Sequence, residues 1–342
     1  MTTLATAPAP TVRPVAWNRL AWVVWRRYRT TLTAITVVLV VLSAYLVVTG
    51  LRMRSAYHAV QACRPAHSSA CQFQWQNFYN TYTSAGLVAA LFLLLPGIIG
   101  GFVGAPLLAR ELETGTFRYA WTQGVGRMRW AVALILPAGI GVSVILACFG
   151  ALISWHNQPL VDAGIDQRLH PSSFSVTGPA VAGWTLVAFA LGVLAGILWR
   201  RVLPALGTAF AVWFGLAYLA ATHLRPHYRS PLTTTSQQFR PSDLTVDQWW
   251  TKGGATVSNA QINQVLQAIG VQQHGSGNFS VQVRGAGVDP VQYLLSHGYT
   301  QVTSYQPDSR FWTFQWIEFG WLTVLALLLL ATAFWLLRRR PA

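Results

Sequence analysis

Charged residues are scarce in this 342-residue sequence, where Asp, Glu, Lys and Arg together make up only 10% of the chain. Soluble domains usually carry about 25% charged residues. So little polar material cannot coat a water-soluble fold of this length, which excludes a large soluble protein. Hydrophobic residues make up 53% of the chain, and the mean hydropathy is +0.39. The composition therefore predicts a membrane protein.

The sequence also lacks the motifs of the common catalytic sites. A phosphate-binding loop, G-x-x-x-x-G-K-[ST], needs a lysine followed by Ser or Thr, yet the single lysine, Lys252, is followed by Gly253. The patterns H-E-x-x-H and G-x-S-x-G are both absent. We therefore expect no catalytic residue, no metal site and no cofactor in this chain.

Six apolar stretches are long enough to cross the bilayer, since about 20 residues span about 30 Å of hydrocarbon. Arg200 and Arg201 alone separate the fourth from the fifth. One continuous helix would place both near the bilayer centre, at about 2.5–3.5 kcal/mol each, and a tight hairpin avoids that cost. The sequence therefore predicts an all-α polytopic membrane protein with six transmembrane helices. The stretches are residues 31–50, 86–109, 130–153, 181–199, 202–222 and 317–337.

Basic residues are distributed unevenly between the two ends of these spans. The side that contains both termini, the second-to-third loop and the fourth-to-fifth hairpin carries fourteen arginines against two acids. Short loops rich in Arg and Lys remain in the cytoplasm, so we predict that both termini are cytoplasmic. Because the basic residues lie beside apolar stretches, the net charge of +15 indicates contacts with membrane lipids and no nucleic-acid partner.

The outer segments predict a disulfide and a small folded region. Cys63 and Cys71 share the first outer loop, at a spacing compatible with a disulfide in an oxidising compartment; two free thiols are the alternative. The last outer segment, residues 223–315, is long enough for a small α/β extracytoplasmic domain. Its signals are a helix capped by Ser258, a strand in which Phe279, Val281 and Val283 alternate, and a helix opened by Asp289-Pro290 and closed by Gly298.

The N-terminal segment 17–29 mixes tryptophans with arginines, as an amphipathic helix on the inner leaflet does; a helical extension of the first span is the alternative. We therefore divide the chain into a cytoplasmic N-terminus (1–29), five helices (30–222), the outer domain (223–315) and a sixth helix with a basic tail (316–342).

Ionisable residues are almost absent from the six spans. Glu318, at the outer edge of the sixth, is the exception, and all eight histidines fall in outer segments or at their margins. Ion-driven transporters keep an ionisable residue at membrane depth. We therefore expect this protein to take its energy from a partner or to use none. Three G-x-x-x-G pairs allow close helix packing, either within one chain or across a dimer: Gly97 and Gly101, Gly100 and Gly104, and Gly192 and Gly196.

The loop of residues 109–130, between the second and third spans, carries the most specific motif. It resembles the segment of ABC-2 type transporter permeases in which a span ends in an E-x-x-x-G-T-like motif, followed by a short helix and an arginine. The usual proline-serine before that arginine is replaced by Gly124-Val125-Gly126. The run 305–312 before the last span is similar to one bacterial branch of the family. The matching residues are Arg110, Glu111, Glu113, Gly115, Thr116 and Arg127.

The resemblance implies a coupling helix in this loop that docks on a separate ATPase subunit, which binds ATP and Mg²⁺. It also implies a bacterial plasma-membrane exporter of a hydrophobic or amphipathic compound, with a second permease copy as homo- or heterodimer. Two alternatives remain: Glu111 and Glu113 could instead form intrahelical pairs or cap charges, and the protein could be a sensor whose outer domain binds a ligand without transport. Candidate residues for the substrate path are Thr36, Ser43, Tyr45, Thr49 and Thr208.

Overall fold

The computed structural model describes residues 17–65, 68–83, 92–115, 127–235, 240, 242–268, 271–273, 281–283 and 290–339. Within these ranges six helices are long and apolar enough to cross a membrane, which agrees with the predicted number. The helices that contain the spans are α1 (Trp17–Ala62), α3 (Leu95–Thr114), α4 (Arg127–Asp162), α6 (Ala180–Trp199), α7 (Val202–Leu219) and α10 (Phe311–Arg339).

The helices differ from the apolar stretches mainly at their ends. Residues 17–29 form the first part of α1, which continues without a break into the first span, as in the alternative of a helical extension. Helix α4 runs nine residues past the predicted end of the third span, to Asp162. A helix satisfies its own backbone hydrogen bonds, so it can leave the hydrocarbon without ending, and hydropathy detects only the part that lies in lipid. Of the second predicted span, residues 86–91 lie outside the described part of the chain.

Helix α6 is the centre of the bundle and packs against α3, α4, α7 and α10. The helices α3 and α6 approach backbone to backbone. A Cβ added to Gly100 would lie 2.6 Å from the carbonyl oxygen of Thr185, and one added to Gly192 would lie 2.6 Å from the backbone nitrogen of Ala105. Two of the G-x-x-x-G pairs, 100/104 and 192/196, therefore pack within one chain, as small residues at helix crossings do.

The turn between α6 and α7 is the tight hairpin that the sequence predicts. Arg200 ends α6 in a left-handed conformation, with φ of 53°, and its backbone N–H donates to the carbonyl of Gly196 at 3.1 Å. Arg201 is extended and α7 begins at the next residue. Both arginine side chains are exposed, so neither charge lies inside the bundle.

The segment after α1, which the sequence assigns to the first outer loop, forms a short helical hairpin with α1. Helix α2 (Ser69–Thr83) packs back along the C-terminal part of α1. Cys63 and Cys71 form a disulfide with a Cα–Cα distance of 5.7 Å, as predicted. Buried Phe78 packs with Met53 of α1 and Leu160 of α4. The hairpin therefore joins the extended ends of α1 and α4.

Beyond α7 the helix changes form and a small mixed region follows. A π-helical turn (Ala220–Leu224) and a 3₁₀ turn (Arg225–His227) end the fifth span. The elements of the mixed region are β1 (Leu232–Thr234), β2 (Leu244–Lys252), β3 (Ala255–Val257), α8 (Asn259–Ala268), β4 (Val271–Gln273), β5 (Val281–Val283), α9 (Pro290–Ser296) and β6 (Tyr299–Gln306). Four of the strands form an antiparallel sheet in the order β1-β6-β2-β3, and β4 and β5 form a separate pair. Earlier in the chain, a short helix, α5 (Pro171–Phe174), precedes α6.

Most local signals predicted in this mixed region are present. Ser258 caps α8 through a reciprocal pair, in which the Gln261 N–H donates to the serine hydroxyl and the Ser258 N–H donates to the Gln261 side chain. Trp250 of β2 packs with Ile262 and Leu266 of α8 in a small core of its own. The predicted second helix is α9, and β5 contains two of the three predicted strand residues; Phe279 lies outside the described residues.

Candidate functional site

Most of the predicted coupling residues that the structure describes lie at the C-terminal end of α3. Arg110 and Glu113 are exposed in the last turn, whereas Glu111 is only 3% exposed. Gly115 ends the helix at φ of 70°, a left-handed conformation that favours glycine. Thr116 lies outside the described residues, as do 117–126 and the side chain of Arg127, which begins α4.

Glu113 connects the end of α3 to the start of α7. One of its carboxylate oxygens accepts a hydrogen bond from the backbone N–H of Val202, at 3.4 Å. A negative charge is favourable there because the first N–H groups of a helix have no partner inside it. Glu113 thus makes a contact of the cap type that the sequence left as an alternative, while its exposure also leaves it accessible to a partner.

The candidate path residues do not form one cluster. Thr36 and Tyr45 of α1 are exposed, and Ser43 and Thr49 are half-buried. The Thr49 hydroxyl lies 3.1 Å from Nε2 of His156 on α4. Thr49 therefore has a partner on a neighbouring helix.

Thr208 lies on a different helix, α7, and its half-buried hydroxyl donates to the carbonyl of Pro204 in the same helix, at 2.9 Å. Helix α1 packs on α2 and α4, whereas α7 packs on α3 and α6. The four α1 residues and Thr208 therefore belong to two separate surfaces of one chain.

A polar cluster joins the C-terminal halves of α1 and α4. Arg54 donates to the carbonyl of Trp155, and its guanidinium lies 4.1 Å from the centre of the same indole ring. His156, which the sequence places in an outer loop, is 8% exposed inside α4, and its Nδ1 lies 2.9 Å from the side-chain oxygen of Asn157. His156 therefore lies in a helix, because α4 continues beyond its apolar stretch, and its predicted place at the outer margin stays a prediction.

The most extensive polar network surrounds Glu318, near the start of α10. Its side chain is fully buried, and Arg225, in the 3₁₀ turn after α7, is 1% exposed. Arg225 Nη2 lies 2.8 Å from Glu318 Oε1, and Arg225 Nε lies 3.1 Å from Oε2. A two-pronged arginine–carboxylate pair of this kind is among the stronger charge-assisted contacts in proteins.

Two aromatic side chains complete the set of donors to this carboxylate. The Trp184 indole N–H of α6 donates to Oε1 at 2.7 Å, and the Tyr228 hydroxyl donates to Oε2 at 3.0 Å. Burial and then the charge of Glu318 raise the pKa of Tyr228, so its hydroxyl stays protonated and can donate. Four donors from three residues thus match the roughly four acceptor positions of one carboxylate, which satisfies a charge that would otherwise be costly to bury.

Arg225 is held from other sides as well. Its Nη2 donates to the Ser175 hydroxyl at 2.9 Å, and its guanidinium lies 4.2 Å from the centre of the Phe174 ring. Gln315, one turn before Glu318, is fully buried; it accepts the Ala180 N–H at the start of α6 and donates to the Phe174 carbonyl. The network therefore fastens the end of α7, the start of α6 and the start of α10 together.

Sequence reasoning missed this network. It placed Arg225 in the outer segment and Glu318 at the outer edge of the sixth span, and it did not predict that both side chains are buried. The available signal was Glu318 itself, an acid in an otherwise apolar span, for which a buried cationic partner is the expected explanation. The partner could not be named, because Arg225 lies 93 residues away and only the fold brings the two together.

The comparison with protein families agrees with the resemblance found in the sequence. A family model described as ABC-2 membrane transporter related matches residues 36–225. That is more than half of the chain, and it contains the loop 109–130 together with nearly all of the first five spans. Comparisons with curated proteins and with solved structures gave no match. The chain therefore belongs to the ABC-2 membrane transporter related family, as the motif in that loop predicts, and is a multi-pass membrane protein.

Proposed function

We propose that this chain is the permease subunit of an ATP-driven exporter of a hydrophobic or amphipathic compound, and that a separate ATPase subunit supplies the energy. The family match carries the proposal, because it includes the loop whose motif resembles a coupling helix. The sequence has no phosphate-binding loop of its own, so ATP and Mg²⁺ would bind to the partner.

In this proposal the loop 109–130 docks on the ATPase and receives its movement. The last turn of α3 leads into the loop, and Glu113 also contacts the first N–H of α7. A displacement of the loop would therefore act on the inner ends of two spans at once. ATP binding shifts the permease between two states only if the ATPase binds one of them more tightly.

A second permease copy would complete the substrate path. Helices α1 and α7 carry apolar side chains that this chain leaves exposed, among them Val41 (62%) and Tyr45 (51%) on α1 and Phe214 (59%) and Tyr218 (62%) on α7. A path between copies could bring together residues that one chain keeps apart, namely Thr36, Ser43, Tyr45 and Thr49 on α1 and Thr208 on α7. Such a lining suits apolar or amphipathic cargo better than free ions.

We further propose that both termini, the loop 109–130 and the α6–α7 turn face the cytoplasm of a bacterium. The arginine asymmetry supports this orientation. The disulfide supports it too, since Cys63–Cys71 belongs to the opposite side, where disulfides form and persist. Residues 223–315 would then be the extracytoplasmic domain.

Co-purification tests the coupling. Glu113→Ala removes an exposed charge, so we expect normal expression and a melting temperature close to that of the unaltered chain, because surface charge pairs contribute only about 0–1 kcal/mol. If Glu113 lies in a desolvated contact with the ATPase, binding should weaken by about 2–5 kcal/mol, well over tenfold. Asp247→Ala, an exposed acid of β2, is the matched control and should bind normally.

The binding partner is the ATPase encoded nearest to this chain, and the second readout is ATP hydrolysis by the complex in proteoliposomes. If Glu113→Ala binds the ATPase normally and the complex hydrolyses ATP normally, the Glu113 carboxylate has no role in coupling and serves only as a hydrogen-bond acceptor at the start of α7. If the unaltered chain captures no ATPase at all, the transporter proposal is refuted and the sensor alternative is favoured. The observation that supports the sensor alternative is the small hydrophobic core around Trp250, which is separate from the core of the helix bundle.

A further inference from the structure

The position of the Arg225–Glu318 pair suggests a role beyond stability. Replacing a buried ion pair with well-packed apolar residues is often neutral or stabilising, so a buried pair is weak evidence that the fold needs it. This pair lies at the outer ends of three spans. We propose that Arg225 and Glu318 form a latch that holds the end of α7 against α6 and α10 in the closed conformation, and that the latch opens and becomes hydrated when the transporter opens outward. The inference rests on the proposed function.

The helix ending next to Arg225 supports a movable latch. The five residues 220–224 form a π-helical turn, and 225–227 form a 3₁₀ turn. Single π turns inside α-helices are uncommon and often occur at functional sites. Here the wider turn lies between regular α7 and Arg225, and it lets the arginine reach Glu318 while α7 keeps its packing on α3 and α6. A change of this short turn would release Arg225 without moving the whole span.

The hydrogen bonding of Arg225 also favours opening to water. Four polar contacts satisfy Glu318, but Arg225 Nη1 is buried and has no hydrogen-bond partner among the described residues. A buried donor without a partner is unfavourable, and water removes that penalty. In the closed latch, the hydrogen-bonding capacity of the Glu318 carboxylate is therefore satisfied, whereas one N–H group of the Arg225 guanidinium lacks a partner among the described residues.

Two charge changes at the latch should act in opposite directions. Glu318→Gln leaves the arginine charge buried without its counter-ion in the closed state, which favours the hydrated, open state. The double change Arg225→Met with Glu318→Met leaves two apolar side chains, which favour the dry, closed state. A pair with only a packing role would shift stability but would not shift the open fraction in these two directions.

Accessibility of a buried cysteine reports the open fraction. Val176 is 1% exposed and adjoins Ser175, which contacts Arg225, so Val176→Cys should react with an impermeant thiol reagent only when the latch region opens. The free Cys148 is first replaced by alanine. The chain is assayed in proteoliposomes as its complex with the ATPase, with and without ATP.

In the otherwise unaltered chain we expect ATP to accelerate labelling. Glu318→Gln should raise the labelling rate without ATP by at least about tenfold, since an unpaired buried charge is strongly unfavourable. The Met–Met chain should remain slow even with ATP. If Glu318→Gln does not yield a monodisperse protein, the Met–Met comparison alone decides, because it leaves no buried charge.

The outcomes separate the latch from the transporter proposal. Two results would overturn the latch alone, provided that the complex still hydrolyses ATP and moves cargo. One is a labelling rate of Val176→Cys that does not change with ATP, and the other is equal labelling rates in the unaltered and Met–Met chains. A chain that forms no complex with an ATPase overturns the proposed function and the latch with it.

Discussion

The close approach of α3 and α6 predicts that one glycine is far less replaceable than its neighbour. A Cβ added to Gly104 would collide with the carbonyl oxygen of Phe189, a main-chain atom that no side-chain rotation can move, whereas a Cβ added to Gly101 would lie 3.7 Å from the Phe210 ring, an ordinary contact. Gly101→Ala and Gly104→Ala are therefore matched variants on the same helix, one turn apart.

The expected magnitude follows from the two opposing terms. Overpacking costs about 1–3 kcal/mol, and we take the upper value because the helices must separate along the whole crossing. Replacing glycine by alanine in a helix returns about 1 kcal/mol. The net loss for Gly104→Ala is then about 2 kcal/mol, which lowers the melting temperature by about 4–8 °C at 2–4 °C per kcal/mol. Gly101→Ala should melt at the same temperature or slightly higher.

Thermal unfolding of the purified chains in detergent, followed by tryptophan fluorescence or by the loss of the monodisperse peak, measures the difference. Two variants of equal stability would show that the main chains of α3 and α6 are not in contact. The same result would mean that the G-x-x-x-G pairs reflect only the glycine content of the sequence and have no role in helix packing.

Two further predictions concern topology and oxidation state. A cysteine at exposed Lys252 should react with impermeant reagents in intact cells and one at exposed Arg201 only in inside-out vesicles, because the arginine-rich side faces the cytoplasm; labelling of both from one side would contradict the six-span orientation. Peptides from protein isolated without reductant should contain Cys63 linked to Cys71, and replacing both by serine should destabilise the chain by about 2–4 kcal/mol; two free thiols in the unaltered chain would refute the pairing.

Local and compositional signals predicted much of the fold. Twenty apolar residues between arginines are sufficient to identify a span, because the bilayer imposes a fixed length. The α6–α7 hairpin followed from the cost of burying Arg200 and Arg201, and both are exposed at a left-handed turn. The cap of α8 depends on Ser258 and Gln261, which are three positions apart, so it too could be predicted from neighbouring residues.

Contacts between distant segments could not be predicted in the same way. Glu111 and Glu113 look equivalent in the sequence, but one is buried and the other accepts a hydrogen bond from Val202. That difference depends on which face of α3 packs on its neighbours. The small-residue pairs could pack within one chain or between two, and only the position of α6 beside α3 distinguished these alternatives.

The separation of Arg225 and Glu318 along the chain has a consequence for biogenesis. Synthesis runs from the N-terminus, so Arg225 leaves the ribosome 93 residues before its counter-ion. During that interval α7 must insert while the guanidinium of Arg225, just beyond its end, has no carboxylate, and a charge in that state remains near the water-facing headgroups. The intervening residues 228–307, which include the six strands that the structure describes, are made before α10 and its Glu318. The end of the fifth span can therefore reach its buried position only after the sixth has entered the bilayer, which makes insertion of the last helix the step that completes the bundle.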